Sequence, residues 1–235
     1  MNSLSVIIPF YNEEQFLETS INRLIKTEIA DEIYLVDDCS TDGSSTIAKN
    51  FASEDETINY LRLDRNQGKG AALSSVNNLV NTSHIAIHDG DLEYDPFDLK
   101  EMFNHTFENP NSLILGSRFI GNKDRKNRYS RTFYANKFLS LFFSIVFQKK
   151  ISDIATCYKI LPTKVFKNFE LKEKGFSIEI ELLSRYLKTN NSIIEHPISY
   201  EGRTYEDGKK IKTSDGLFYL FNTIKYRLFQ KFLFG

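Results

Sequence analysis

Apolar positions in the first half of the chain alternate between two rhythms. Leu4 to Ile8 is a short unbroken run closed by Pro9, which reads as a buried strand. After it, Phe16, Leu17, Ile21, Leu24 and Ile25 recur at helical spacing behind Asn12, placed as an N-cap, with Glu13 and Glu14 suited to a first turn. The same cycle predicts strand Glu32 to Asp37 with helix Ser44 to Ala52, strand Ile58 to Leu63 with helix Gly70 to Val80, and strand His84 to His88 with helix Pro96 to Phe107. Asp95 before Pro96 pairs an N-cap with a proline at the first helical position. Four strand–helix alternations imply an α/β fold, a mostly parallel sheet with helices on its faces and ligands at the carboxyl ends of its strands.

The rhythm loosens after the short strand Leu113 to Gly116. Arg118 to Arg131 holds six basic residues and one acidic one. Phe133 to Phe147 then reads as a phenylalanine-rich helix, Ala155 to Leu161 as a strand, Ser177 to Leu187 as a helix and Ile193 to Ser199 as a strand. Gly202 to Lys212 is a polar loop, and Leu217 to Phe234 is an aromatic-rich helix carrying Lys225, Arg227 and Lys231. The expected organisation is one catalytic-sized domain over 1–212 and an amphipathic helix over 213–235.

Composition narrows this picture. A chain of 235 residues that is 41% apolar and 14% aromatic buries a core, which excludes disorder and low-complexity classes. Two cysteines build no disulfide framework, so a reducing cytosol is the expected compartment. No apolar run is long enough to span a bilayer. The net charge of −1 hides a division, because Met1 to Leu115 carries −13 and Gly116 to Gly235 carries +12.

Each strand of the acidic half ends on a polar cluster: Pro9 to Glu13, Asp37 to Gly43, Arg65 to Ala72 and Asp89 to Glu93. Asp89, Asp91 and Glu93, with Gly90 allowing a tight turn, suit a hard divalent cation with oxygen ligands; a lone Asp-x-Asp reads more readily as a solvated acidic turn, and the other strand-end clusters reverse that. Gly68, Lys69 and Gly70 open a helix that can face a diphosphate, although the spacing is neither a Walker loop nor a dinucleotide fingerprint.

Taken together, Pro9, Tyr11, Asn12 and Glu13; Asp37, Asp38, Ser40, Asp42 and Gly43; Asn66, Gly68, Lys69, Gly70 and Ala71; Asp89 and Asp91; and Gly116, Ser117 and Arg118 resemble the family-2 glycosyltransferases with a GT-A fold. Asp153 to Lys159, Phe176 with Glu179 and Glu181, and Pro197 to Arg203 leading to Gly208 to Ile211 are similar to the dolichyl-phosphate mannose and glucose synthase branch. The resemblance implies a GT-A, Rossmann-like sheet. It also implies that Pro9, Tyr11, Glu13 and Asp38 hold the nucleoside of a sugar donor, that Lys69, Asp89, Gly90 and Asp91 line its diphosphate, and that Asp89, Asp91 and Glu93 place Mg2+ or Mn2+.

The expected reaction moves a hexose from a nucleotide sugar of GDP-mannose or UDP-glucose type to a polyprenyl phosphate such as dolichyl or undecaprenyl phosphate, with inversion. Asp91, Arg118, Asp153 and Arg203 are its candidate catalytic residues, and Arg118, Arg131, Arg203 and Lys209 its candidate acceptor-phosphate clamp. Phe133 to Phe147 and Leu217 to Phe234 then lie at the cytosolic face of a membrane, so that the protein docks peripherally and serves cell-envelope synthesis. A hydroxyl acceptor on a glycan or glycolipid is the second reading, and it requires a base among Asp153, Glu179 and Glu181. A non-catalytic nucleotide-sugar-binding module is a third. Nucleic-acid binding has no motif behind it.

Overall fold

The computed structural model describes residues 2–126, 130–175, 177–189, 192–203 and 213–228. A seven-stranded sheet forms its centre: β1 (Leu4–Phe10), β2 (Glu32–Asp37), β3 (Ile58–Arg62), β4 (His84–Ile87), β5 (Leu113–Ser117), β7 (Lys159–Pro162) and β8 (Ile193–Pro197), in the order β3-β2-β1-β4-β7-β5-β8. Six strands run parallel and β7 runs against both of its neighbours. The sheet is thus the mostly parallel, helix-flanked sheet of a GT-A, Rossmann-like fold. Strand order reverses between β1 and β4, which makes the crevice at their carboxyl ends the expected ligand position.

Helices α1 (Leu17–Ile25), α2 (Ser44–Glu54), α3 (Lys69–Ser75), α4 (Pro96–Glu108), α6 (Thr163–Phe166) and α7 (Ile178–Lys188) join the strands. Asp95 caps α4 by accepting from Phe97 N at 3.1 Å, with Pro96 behind it, as the sequence predicts. β1, β4 and β5 are buried along their whole length, which explains why their sequences are mostly apolar without alternating, Ser5, His84 and Ser117 being the buried polar exceptions.

Four features differ from the sequence reading. β1 runs on through Pro9 to Phe10; pairing with β4 ends at Ile7, so the missing proline N–H costs no ladder bond on that side. Asn12 does not cap α1, which begins only at Leu17. Its backbone is left-handed, with φ at 52°, and its Oδ1 accepts from Thr41 N at 2.8 Å, tying two site loops together. α3 is shorter than the predicted span to Val80. A ribbon of two parallel two-residue strands, β6 (Arg125–Lys126) and β9 (Tyr200–Glu201), was too short to leave a periodicity.

Two further helices, α5 (Ser130–Phe147) and α8 (Thr213–Leu228), pack on each other, and α8 also packs on α7. α5 buries Leu139 and Phe143 and exposes Tyr134, Phe138, Leu141 and Ile145. α8 buries Tyr219 and Tyr226 and exposes Leu217, Phe218, Phe221, Ile224 and Leu228. Both exposed sets recur at three-to-four spacing, so each helix has one face in the protein and a second apolar face in solvent. Among the described residues no helix is long and apolar enough to cross a membrane.

Candidate active site

The carboxyl ends of β1 and β4 bring Glu13, Asp89, Asp91 and Glu93 to one crevice. Gly90 lets the turn after β4 lie flat against β1, since a Cβ there would stand 3.1 Å from Phe10 Cβ. Because β7 runs backwards, its leading residue Lys159 pairs with Ile87 at the same end of the sheet, and the preceding Asp153 to Tyr158 segment lines the crevice wall.

Lys69 Nζ lies 2.8 Å from Asp89 and 2.9 Å from Glu179 of α7. The other oxygen of Glu179 holds Lys159 Nζ, which is completely buried and is also bound by Thr156 O. Burial alone would lower the Lys69 pKa, yet Asp89 and Glu179 hold it well above its ordinary value. For Asp89, burial pulls upward and the Lys69 ammonium prevails, leaving the carboxyl below its usual range.

Arg203, just beyond β9, closes the opposite side. Its guanidinium meets Glu13 at 3.0 Å and Asp91 at 2.8 Å, with Glu93 at 3.8 Å. Glu93 in turn accepts from Arg203 N at 2.9 Å and from Tyr200 Oη at 3.1 Å. Asp91 is pushed up to about 7 by burial and by the neighbouring charges of Asp89 and Glu93, against the pull of Arg203. When all are ionised, the five carboxylates of Glu13, Asp89, Asp91, Glu93 and Glu179 exceed the three cations of Lys69, Lys159 and Arg203 by two charges. Hard oxygen donors with that surplus fit a divalent cation. Asp89, Asp91 and Glu93 nevertheless do not converge as a three-carboxylate cluster among the described residues, because Tyr200 and Arg203 engage Glu93.

Asp38 is buried, and its two oxygens accept from Gln67 N and Gly68 N, both at 2.7 Å, so it orders the loop before α3. Pro9 is the penultimate residue of β1, paired with Val36 of β2, and Tyr11 is half-buried on the loop that follows the strand. Gly68 and Gly70 are explained by packing: a Cβ at either would fall about 2 Å from a backbone oxygen, 2.0 Å from Lys174 O and 1.9 Å from Glu173 O. Glu173 also receives Lys225 at 2.8 Å and Tyr226 Oη at 2.9 Å from α8.

The structure places two of the predicted acceptor residues in pairs. Arg118 grips Asp153 bidentately, at 2.7 and 2.8 Å, and the carboxylate is 0% exposed. Burial opposes the Arg118 charge, and Asp153 holds its pKa well above the ordinary value. Arg203 is held by the donor-side carboxylates, Arg131 is exposed on α5, and Lys209 lies outside the described residues. Lys159 and Tyr200 lie in the two segments that resemble the synthase branch, but the sequence assigns neither a role; for the former, a lysine inside an apolar strand is a further signal.

α8 packs on α7, the helix that carries Glu179, and burial, with Glu179 next, raises the pKa of its buried Tyr219.

Known proteins resemble the chain in sequence and in fold. The family model described as "Glycosyl transferase family 2" matches residues 5–169. A dodecaprenyl-phosphate galacturonate synthase of Rhizobium johnstonii is 28% identical over 177 residues, covering 72% of this chain but only 50% of that relative, so the match spans half its length. A polyprenol monophosphomannose synthase of Mycolicibacterium smegmatis is 25% identical over 205 residues, covering 84% of this chain and 77% of the relative. The crystal structure of glucosyl-3-phosphoglycerate synthase from Mycobacterium tuberculosis, in complex with Mn2+, UDP and glucosyl-3-phosphoglycerate, superposes with a TM-score of 0.73 at 14% identity, covering 96% of this chain and 80% of that one.

Proposed function

The chain belongs to glycosyl transferase family 2, and from that premise we propose that it transfers a hexose from a nucleotide sugar to a polyprenyl phosphate at a membrane surface. The observation that carries this reading is the double duty of α8: it packs on α7, which supplies Glu179 to the crevice, and holds Glu173 through Lys225 and Tyr226, while Leu217, Phe218 and Phe221 of the same helix face solvent. A lipid-borne acceptor needs that arrangement, an apolar landing face contiguous with a polar crevice. The names of the Rhizobium and Mycolicibacterium relatives support the same acceptor class.

Within the crevice, Pro9, Tyr11 and Glu13 line the nucleoside end, and Asp38 keeps the loop before α3 in shape. Lys69 turns an ammonium toward the diphosphate. Asp89 and Asp91 would hold Mg2+ or Mn2+, which when bound supplies charge neutralisation of the leaving diphosphate. Glu93 orders Arg203 through its backbone and guanidinium, and Arg203 is then available to the diphosphate in exchange for Glu13 and Asp91.

The three carboxylates that the sequence offers as a base for a hydroxyl acceptor are all engaged. Asp153 is clamped by Arg118; Glu179 is held between Lys69 and Lys159; Glu181 accepts from Arg185, Lys172 N and Glu173 N. A phosphate acceptor is already ionised at neutral pH and needs no base, so the engaged carboxylates support it.

The test is the product. Enzyme incubated with UDP-glucose or GDP-mannose, Mn2+ and a polyprenyl phosphate yields a glycosyl phosphate cleaved by mild acid; an acid-stable glycoside formed on a hydroxyl acceptor instead would refute the reading. Asp91→Ala is expected to lower turnover by at least about 100-fold, on the scale of losing electrostatic stabilisation in the transition state, with a cooperative melt retained.

A further inference from the structure

On the reading that the acceptor is a lipid phosphate, we propose that Arg125 and Lys137, caged on the rings of Phe119 and Phe133, form the seat of the acceptor's phosphate. The Arg125 guanidinium lies 4.0 Å from the Phe133 centroid and 4.8 Å from that of Phe119. The Lys137 ammonium lies 5.0 and 5.7 Å from the same two rings, which meet edge to face at 5.5 Å. Two cations therefore share one aromatic pair. Neither has a carboxylate partner among the described residues, since the nearby acid, Asp153, is taken by Arg118. Among the described residues the Arg125 guanidinium makes one hydrogen bond, donating Nη1 to Arg118 O at 3.2 Å, and so keeps further donors for an incoming anion.

Like charges are brought together at a cost that an anion removes, and aromatic faces hold them in place without neutralising them. Burial and the neighbouring Arg118 charge work against the Arg125 cation, which sharpens its demand for a counter-ion.

The placement selects the kind of anion. Through the β6–β9 ribbon, Arg125 pairs with Tyr200, whose hydroxyl donates to Glu93 at the donor crevice. On the other side, Lys137 is flanked along α5 by exposed Tyr134, Phe138 and Leu141. One end of the seat therefore adjoins the reacting centre and the other adjoins an apolar surface. A phosphate monoester with a hydrocarbon tail meets both conditions.

The experiment measures initial rates against polyprenyl phosphate carried in phosphatidylcholine vesicles, at saturating donor and Mn2+, for wild type, Arg125→Gln, Lys137→Gln and Arg125→Lys. Each glutamine variant is expected to raise the KM for polyprenyl phosphate about 10-fold, the scale of one charge-assisted hydrogen bond. Arg125→Lys should recover part of that loss, and the thermal shift produced by UDP or GDP with Mn2+ should not change. A KM for polyprenyl phosphate that stays at the wild-type value overturns the seat. So does a loss confined to binding of phosphatidylglycerol vesicles, which would assign the two cations to bilayer headgroups. A wild-type enzyme that ignores polyprenyl phosphate while glycosylating another acceptor overturns the functional reading first, and the seat with it.

Discussion

Arg118 and Asp153 are 35 positions apart in sequence and form one buried unit in the fold. Removing one partner strands the other charge. Arg118→Met is expected to destabilise the protein by about 3–5 kcal/mol, whereas Arg118→Met with Asp153→Leu recovers most of that; urea unfolding of the two variants checks it. His88 gives a second prediction at this scale. It is buried between Ser20 and Tyr158, and burial lowers its pKa from 6.5 to about 4. A depressed histidine binds its proton more tightly in the unfolded chain, so its contribution is complete above about pH 6.5 and is lost as pH falls toward 4. The full loss is about 3 kcal/mol. Denaturation at pH 7 and pH 5 should show the slope, and His88→Gln should reduce it.

Single residues also mark where sequence reasoning stops. Asp89, Asp91 and Lys69 stand out in the sequence only in company with the other strand-end clusters, and the fold sets Lys69 2.8 Å from Asp89. The role of Lys159 was not legible, since its partner Glu179 sits on a helix twenty residues on and only the reversed direction of β7 brings them together. The glycines beside Lys69 were legible as special but not for the right reason. They admit the backbone of Glu173 and Lys174, so Gly70→Ala is expected to cost about 1–3 kcal/mol as an overpacked contact, measurable as a lowered melting temperature.

At the scale of elements, the period-2 and period-3.6 patterns located every long strand and helix, because each has one face or both in a core. They could not give the direction of β7, which the path of the chain between β5 and β7 decides and no side-chain period records, nor the β6–β9 ribbon, whose strands have two residues each. The second apolar faces of α5 and α8 follow from the same patterns read around the whole helix. Leu217→Ser with Phe218→Ser and Phe221→Ser changes only exposed positions, so folding stability should move by less than about 0.5 kcal/mol. Co-sedimentation with anionic vesicles should fall sharply for the triple variant and remain for wild type.

For the whole molecule, the opposed charges of the two chain halves are used across the crevice. Glu13 and Asp91 of the acidic half face Arg203 of the basic half, while Lys69, a cation of the acidic half, is shared between Asp89 of its own half and Glu179 of the other. The acid surplus left over predicts stabilisation by a divalent ion. Mn2+ at 100 times its dissociation constant should add about 2.7 kcal/mol to unfolding, read as a rise in melting temperature that Asp91→Ala abolishes.

The contact of Glu173 and Lys174 with the two glycines also sets an order of assembly. Every strand from β1 to β7 and every carboxylate of the turn after β4 has been made once synthesis reaches Phe169, yet the wall over Gly68 and Gly70, the Glu179 that holds Lys69, and Arg203 are all still to come. α8 then anchors that wall through Lys225 and Tyr226. A nascent chain therefore carries its strand-end motifs with the crevice open on one side until these segments are made. The crevice wall and the helix with the exposed apolar face are both completed late in synthesis.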